Sequence, residues 1–415
     1  MPYRCAPFSL CQKTDRVDFP AMPHLDTKSR ICYHYIYHIL LKRRSTVSNL
    51  FDYLTWRGDL TFGNAPLCPV DALIFSLLPY IRMEAYVPTS QKEEPARLCD
   101  VAKAYLKDHP AGTVKEDYRQ LLERLADAPR FAPLRLLAAQ KEVNAENGMQ
   151  FAALTVLLPG QNLFVAFEGT DDTLIGWEED FRMSYECPVP AQLRALDYLR
   201  TAAAAHPLRR LYVGGHSKGG NLAMYAAVHS GPEFQHRIRA VYNNDGPGFC
   251  DDTIASPKYL ELRDRIHTYL PQSSIVAVLL EHDNNYKIVQ SNTVGLLQHD
   301  AFSWQVLGPD FLYTDKRTAF GQETEMIIDR FVNELSPERK RQFGEALFTV
   351  LEATEQETVS GITGNKLQSF KKILASYAGL DPKVREVLNQ SFASLNRLRK
   401  DVRRSRALSE TSKSS

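Results

Sequence analysis

A serine held between two glycines is the part of this chain best suited to chemistry. The segment Leu211-Tyr-Val-Gly-Gly-His-Ser217-Lys-Gly-Gly-Asn-Leu-Ala-Met-Tyr225 starts as a β-branched and apolar strand. It passes through Gly215-His216-Ser217-Lys218-Gly219 and continues as an Ala-rich helical pattern. Gly-x-Ser-x-Gly between a strand and a helix predicts a nucleophile elbow, a strained turn that lifts a serine hydroxyl clear of the sheet. A side chain at Gly215 or Gly219 would crowd the approach of strand and helix. The helix N-terminus under the serine favours negative charge developing there. A phosphate-binding loop would need Gly-Lys-Ser/Thr after four spacer residues, whereas here Lys218 follows the serine.

A serine nucleophile needs a histidine to take its proton and an acid to hold the imidazole tautomer, in the chain order Ser, Asp/Glu, His. The histidines after Ser217 are His229, His236, His267, His282 and His299. His229 and His236 fall at or just past the end of the elbow helix, and His267 falls within a predicted strand. Of the remaining two, His299 is favoured over His282, because it lies in the loop-like stretch from Gly295 to Trp304. For the acid, Asp245 closes the strand Ala240-Val-Tyr-Asn-Asn-Asp245, and the C-terminal ends of strands face the ligand side of an α/β sheet. Asp283 and Asp300 are rivals, and an Asp-Gly turn residue bonded to its own backbone is the bland reading of Asp245.

The oxyanion of an acyl-transfer intermediate requires backbone N–H donors. Lys218, next after the nucleophile, supplies one. The loop Phe167-Glu-Gly-Thr170 supplies the other, with the Thr170 hydroxyl as a third donor. A lysine opening a helix opposes the macrodipole. Its side chain therefore either draws an anionic substrate to the pocket rim or pairs with a carboxylate such as Asp180.

The elements that must carry these residues follow from periodicity. Helices are predicted over 70–81, 114–127, 193–204 and 218–229. Strands are predicted at 149–158 and 163–167, joined as a hairpin by Pro159-Gly-Gln-Asn162, and at 211–215, 238–243 and 265–269. This alternation describes an α/β, mostly parallel central sheet flanked by helices, with an antiparallel hairpin at one side. From about Tyr313 the pattern turns helical. Ser336-Pro337-Glu338 is a helix start, a second helix ends at Gly379, and a third begins at Asp381-Pro382. Their apolar stripes read as packing faces rather than a cofactor box, and no cofactor is implied. The expected division is 1–46 as a non-native or disordered N-terminal extension, 47–312 as the catalytic domain, 313–402 as a helical region and 403–415 as a flexible tail. Initiation at Val47 would account for the first 46 residues.

The chain has 415 residues, a formal charge of +1 and seven scattered cysteines. This balance gives no pull toward nucleic acid. The cysteine pattern fits reduced thiols in the cytoplasm. No apolar run reaches the length of a bilayer span. The stretch from Ile31 to Leu41 has its basic residues after it rather than before, the reverse of a secretory signal. His34 and His38 share helical spacing but lack an acidic third ligand, so no metal is expected. The Arg403-Arg404-Ser405-Arg406 cluster could make weak contact with an anionic membrane surface, although a solvated helix end also explains it. Nothing in the sequence speaks to oligomeric state.

Together, Val165-Ala-Phe-Glu-Gly-Thr170, Gly176-Trp177-Glu-Glu-Asp180, the Gly215–Gly219 elbow, Asn244-Asp-Gly-Pro247 and Gln298-His-Asp300 resemble the class 3, fungal-type lipases. An uncharacterised bacterial family of related hydrolases is more similar still. Over roughly residues 47–310 the resemblance implies an α/β-hydrolase fold, to which the helical region past 313 is a C-terminal extension. It also implies Ser217 as nucleophile, His299 as base, Thr170 in the oxyanion loop, and a carboxylic ester or lipid as substrate. Two positions depart from it. Glu168 stands where these lipases carry Arg. The stretch Gln272-Ser-Ser-Ile-Val276 has no carboxylate where their acid lies, so the acid either comes from elsewhere, as Asp245 would, or is missing. A hydrolase-fold protein that binds a ligand without turnover, or an interaction protein using its C-terminal helices, is the alternative.

Overall fold

The computed structural model describes residues 48–413, apart from 250–251, 275, 277–279, 281–282, 284, 357 and 359–365. The N-terminal extension, initiation at Val47, the His34/His38 pair and His282 therefore lie outside the described residues.

The central sheet holds nine strands among the described residues. In chain order they are β1 (Ala96–Arg97), β2 (Arg135–Asn144), β3 (Met149–Leu158), β4 (Asn162–Phe167), β5 (Arg210–His216), β6 (Ile238–Asn244), β7 (Ile266–Pro271), β8 (Tyr286–Val289) and, past a two-stranded β9/β10 hairpin (Val306–Leu307, Asp310–Phe311), β11 (Tyr313–Thr314). They lie side by side in that same order, β1 to β8 and then β11. Strands β4 to β8 are parallel, and β1 to β4 and the β8–β11 pair are antiparallel. This is the α/β-hydrolase arrangement, a mostly parallel sheet flanked by helices. Strand β3 is buried at nine of its ten positions, which explains why it reads as one continuous apolar run rather than as alternation.

Alternate residues of the strands feed opposite faces. Phe164 and Tyr242 point to the core formed with the helices α1 (Leu50–Arg57), α2 (Pro69–Leu77), α3 (Leu98–Asp108) and α4 (Glu116–Asp127). Their neighbours Val165 and Val241 point to the core under α6 (Pro190–Ala205) and α7 (Lys218–His229), which follow α5 (Leu174–Arg182). Helix α7 is buried along almost its whole length, so the elbow has a rigid base.

Strands β1, β2 and β8 to β11 and helices α1, α3, α5 and α8 (Ala319–Glu334) fall outside the sequence expectation. Strand β2 mixes apolar and charged residues and breaks register between Leu137 and Gln140, where Ala138 has φ +51°. That bulge removes the period-2 signal. Strand β8 is only four residues long. Past α8 stand α9 (Pro337–Glu352), α10 (Lys366–Gly379) and α11 (Pro382–Lys413). Ser336 caps α9 by accepting from the Arg339 N–H. The helical region packs on the α/β part, Phe343 of α9 meeting Phe181 of α5 with ring centres 5.6 Å apart. The tail expected to be flexible continues α11 as helix to Lys413. Arg403 of its basic cluster pairs with Glu323 of α8 at 2.7 Å. Among the described residues no helix is long and apolar enough to cross a membrane.

Candidate active site

Ser217 sits between β5 and α7 with φ +58° and ψ −135°, a conformation costing a non-glycine residue about 1–3 kcal/mol. Close packing holds it there. A Cβ on Gly215 would stand 2.1 Å from the Gly219 carbonyl, and one on Gly219 would stand 2.3 Å from the Phe167 carbonyl oxygen. No larger residue fits at either position. Asn221, one turn into α7, donates to the Gly248 carbonyl at 2.6 Å and accepts from Gln192 at 2.8 Å. It thereby ties the elbow helix to the loop that follows Asp245.

His299 Nε2 lies 3.0 Å from Ser217 Oγ, and His299 Nδ1 lies 2.7 Å from Asp245 Oδ2. Asp245 is fully buried, whereas the His299 side chain keeps 32% of its surface exposed, so the imidazole is within reach of an incoming molecule. The rivals for the acid are engaged elsewhere. Arg263 grips Asp283 with two hydrogen bonds at 2.5 and 2.8 Å, and Asp300 accepts from the Phe302 N–H to cap a short turn. Burial pushes the Asp245 carboxyl up from its ordinary range, against the hydrogen bond and charge of His299 and the hydrogen bond from Ser274. Burial disfavours the His299 imidazolium, but the bond and charge of Asp245 outweigh this and leave His299 above its usual value.

The loop after β4 reaches the same point. A Cβ on Gly169 would stand 2.4 Å from the His216 carbonyl and 2.8 Å from the Ser217 Cβ, so backbone alone can approach the nucleophile here. Tyr80 braces this loop. Its hydroxyl accepts from the Gly169 N–H at 3.0 Å and lies 3.2 Å from His216 Nδ1. His216 Nε2 in turn donates to the His299 carbonyl at 2.9 Å. Burial, with help from the His299 charge, lowers His216 to about 3, so its ring is a neutral strut. The Thr170 hydroxyl donates to Asp180; the expected third oxyanion donor is engaged there. Burial, which outweighs the Lys218 charge and the Thr170 hydrogen bond, raises Asp180 to about 6.

Two expectations about charge change. The Lys218 side chain does not reach a pocket rim. It is fully buried and pairs with Glu179 at 3.0 Å, not with Asp180, while donating to the Gln150 carbonyl at 2.8 Å. Glu168, in the place of the lipase Arg, is buried and tethered by Arg82 at 2.9 Å and by Gln150 Nε2 at 3.1 Å. Burial raises its carboxyl to about 7 despite the Arg82 charge. Among the described residues no cluster of His, Cys, Asp or Glu is placed to hold a metal.

The model of the Mbeg1-like family matches residues 125–349, more than half of the chain and every residue of the site described so far except Tyr80 and Arg82. The chain belongs to the Mbeg1-like family. No curated protein matches it. Among solved structures, this Mbeg1-like chain is similar to the lipase of Rhizomucor miehei in its propeptide complex, at 14% identity and a TM-score of 0.32, over 47% of this chain and 65% of the lipase. A fungal lipase–inhibitor complex gives 13% and 0.29 over 49% and 85%. The Lip2 lipase of Yarrowia lipolytica gives 10% and 0.28 over 57% and 95%. The chain thus spans just under two thirds of the first of these lipases.

Sequence reasoning on this Mbeg1-like chain missed Tyr80, Arg82, Asn221 and Ser274. Tyr80 and Arg82 lie well over a hundred residues before the elbow, in a turn after α2, and nothing local marks them. Asn221 carried a readable signal, as a polar residue inside an otherwise small and apolar helix.

Proposed function

We propose that the chain is a serine hydrolase that cleaves a carboxylic ester through an acyl-enzyme on Ser217. The observation that carries this reading is the continuous relay Ser217 Oγ, His299 imidazole, Asp245 carboxylate, at 3.0 and 2.7 Å. His299 Nε2 takes the proton as Ser217 Oγ attacks the ester carbonyl, and Asp245 keeps the other ring nitrogen protonated. The N–H groups of Lys218 and Thr170 receive the oxyanion. His299 then returns the proton to the departing alcohol, and water repeats the cycle to free the acid. A lipid or short acyl ester is the substrate class in view. The alternative of a ligand-binding fold without turnover draws on the missing carboxylate before Ile275; the 2.7 Å approach of Asp245 to His299 favours turnover. Hydrolysis of nitrophenyl acetate and butyrate by wild type and by Ser217→Ala tests the proposal. Loss of a triad nucleophile is expected to cost at least about 10³-fold. An undiminished rate in the pure variant would remove Ser217 from the mechanism.

A further inference from the structure

The acid of this relay stands at the end of β6, and the loop after β7, Gln272-Ser273-Ser274, folds against it. The Ser274 hydroxyl donates to Asp245 Oδ1, the oxygen that His299 does not use. Ser274 is 1% exposed, so no water can replace that donor without opening the core. The loop is itself held by the start of the C-terminal helical region. Arg317 Nη2 donates to the Ser274 carbonyl at 2.8 Å, and its Nη1 pairs with Glu325 at 2.7 Å. Ser273 and Thr318 share a hydroxyl hydrogen bond at 2.5 Å, and the Thr318 N–H donates to the Gln272 carbonyl at 3.0 Å. Gly321 lets the first turn of α8 close down on this loop. A Cβ there would stand 2.7 Å from the Gln272 carbonyl and 3.0 Å from the Ser273 Cα.

We propose that Ser274 is a positioning residue for the Asp245–His299 pair, and that the Arg317–Gly321 turn clamps Ser274 in place, coupling the C-terminal helical region to the chemistry. The inference rests on the serine-hydrolase reading. It accounts for a polar loop pressed into the core behind the acid, and for an arginine whose guanidinium reaches a backbone carbonyl of that loop. It gives the C-terminal helices a role beyond packing, because moving α8 would release the donor from the acid.

The consequence is a defined change in titration. A donor on Asp245 stabilises the pair most when the His299 ring is neutral, since the carboxylate charge is then uncompensated. Removing the donor makes the pair take up its proton more readily, so the acid limb moves to higher pH. The other charged and titratable groups facing the pair are Arg317 before α8, Asp180 of α5, Asp300 beside His299 and His216 of the elbow. All of them are retained in the Ser274 variants.

The test follows the rate of fluorophosphonate inactivation against pH, together with an NMR titration of the His299 ring, for wild type, Ser274→Ala, Ser274→Thr and Arg317→Met. In Ser274→Ala both midpoints are expected to rise by about one pH unit, with Ser274→Thr close to wild type. Arg317→Met should move in the same direction by less. Unchanged midpoints in a folded Ser274→Ala, with only a lower plateau or melting temperature, would overturn the proposal. The ring titration needs no reaction. A wild type inert to the reagent would sink the serine-hydrolase reading, while Ser274 would still stand or fall on the His299 midpoint.

Discussion

His299 Nδ1 and Asp245 Oδ2 meet at 2.7 Å across 54 residues of chain. Asp245 has φ +55°, a left-handed conformation that aspartate tolerates better than most residues. Its backbone N–H is tied to the Tyr269 carbonyl of β7 at 2.8 Å. The carboxylate is thus fixed by the sheet rather than by a mobile loop, and Ser274 lies in the loop just past the neighbouring strand.

Asp245→Asn should lower kcat/KM by about 10³–10⁴-fold, because an amide favours the wrong imidazole tautomer. The acid limb of whatever activity remains should move down, since the imidazolium loses its counter-charge. Asp283→Asn weakens a pair with Arg263, outside the relay, and should leave the rate unchanged. Steady-state kinetics on both variants decides this. Equal, small effects would take Asp245 out of the relay.

Lys218→Met should destabilise the protein by about 3–5 kcal/mol, as it strands a buried Glu179 without its partner. The double variant Lys218→Met/Glu179→Gln should recover much of that loss. Urea midpoints measure both. The rates of folded Lys218→Met on anionic and neutral esters should change in parallel, because the ammonium faces the interior; a loss confined to anionic esters would contradict its buried placement.

Asp180 is raised to about 6 from an ordinary value near 3.8. Between those values the folded protein holds a proton that the unfolded chain has released, so this group lowers stability as pH rises from about 4 to 6. Asp180→Asn keeps an acceptor for Thr170 and should remove that decline. The urea midpoint of the variant relative to wild type should therefore climb over this interval and then level off. A difference that does not vary with pH would contradict the raised carboxyl.

The strongly patterned parts of the fold could be read in advance, and the contacts between distant segments could not. Strand β5, the elbow and α7 announce themselves because the period changes from two to 3.6 across a pair of glycines. Strand β3 and the Ser336 cap are equally plain. Strand β2 is hidden by its bulge. The orientation of Lys218 depends on Glu179 from another helix, and the tether of Glu168 depends on Arg82 from a third segment. Asp245 and His299 could be nominated from their places at a strand end and in a loop. The choice of Asp245 over Asp283 and Asp300 needed the distances, since all three sit in polar, turn-rich sequence.

The most direct measurement is the intact mass and peptide map of the protein after treatment with a fluorophosphonate. A relay that activates Ser217 should give a single adduct on the peptide containing Gly215–Gly219. Ser217→Ala should abolish it, and it should form far more slowly in His299→Gln. No adduct on folded wild type, or an adduct on another residue, would contradict the account.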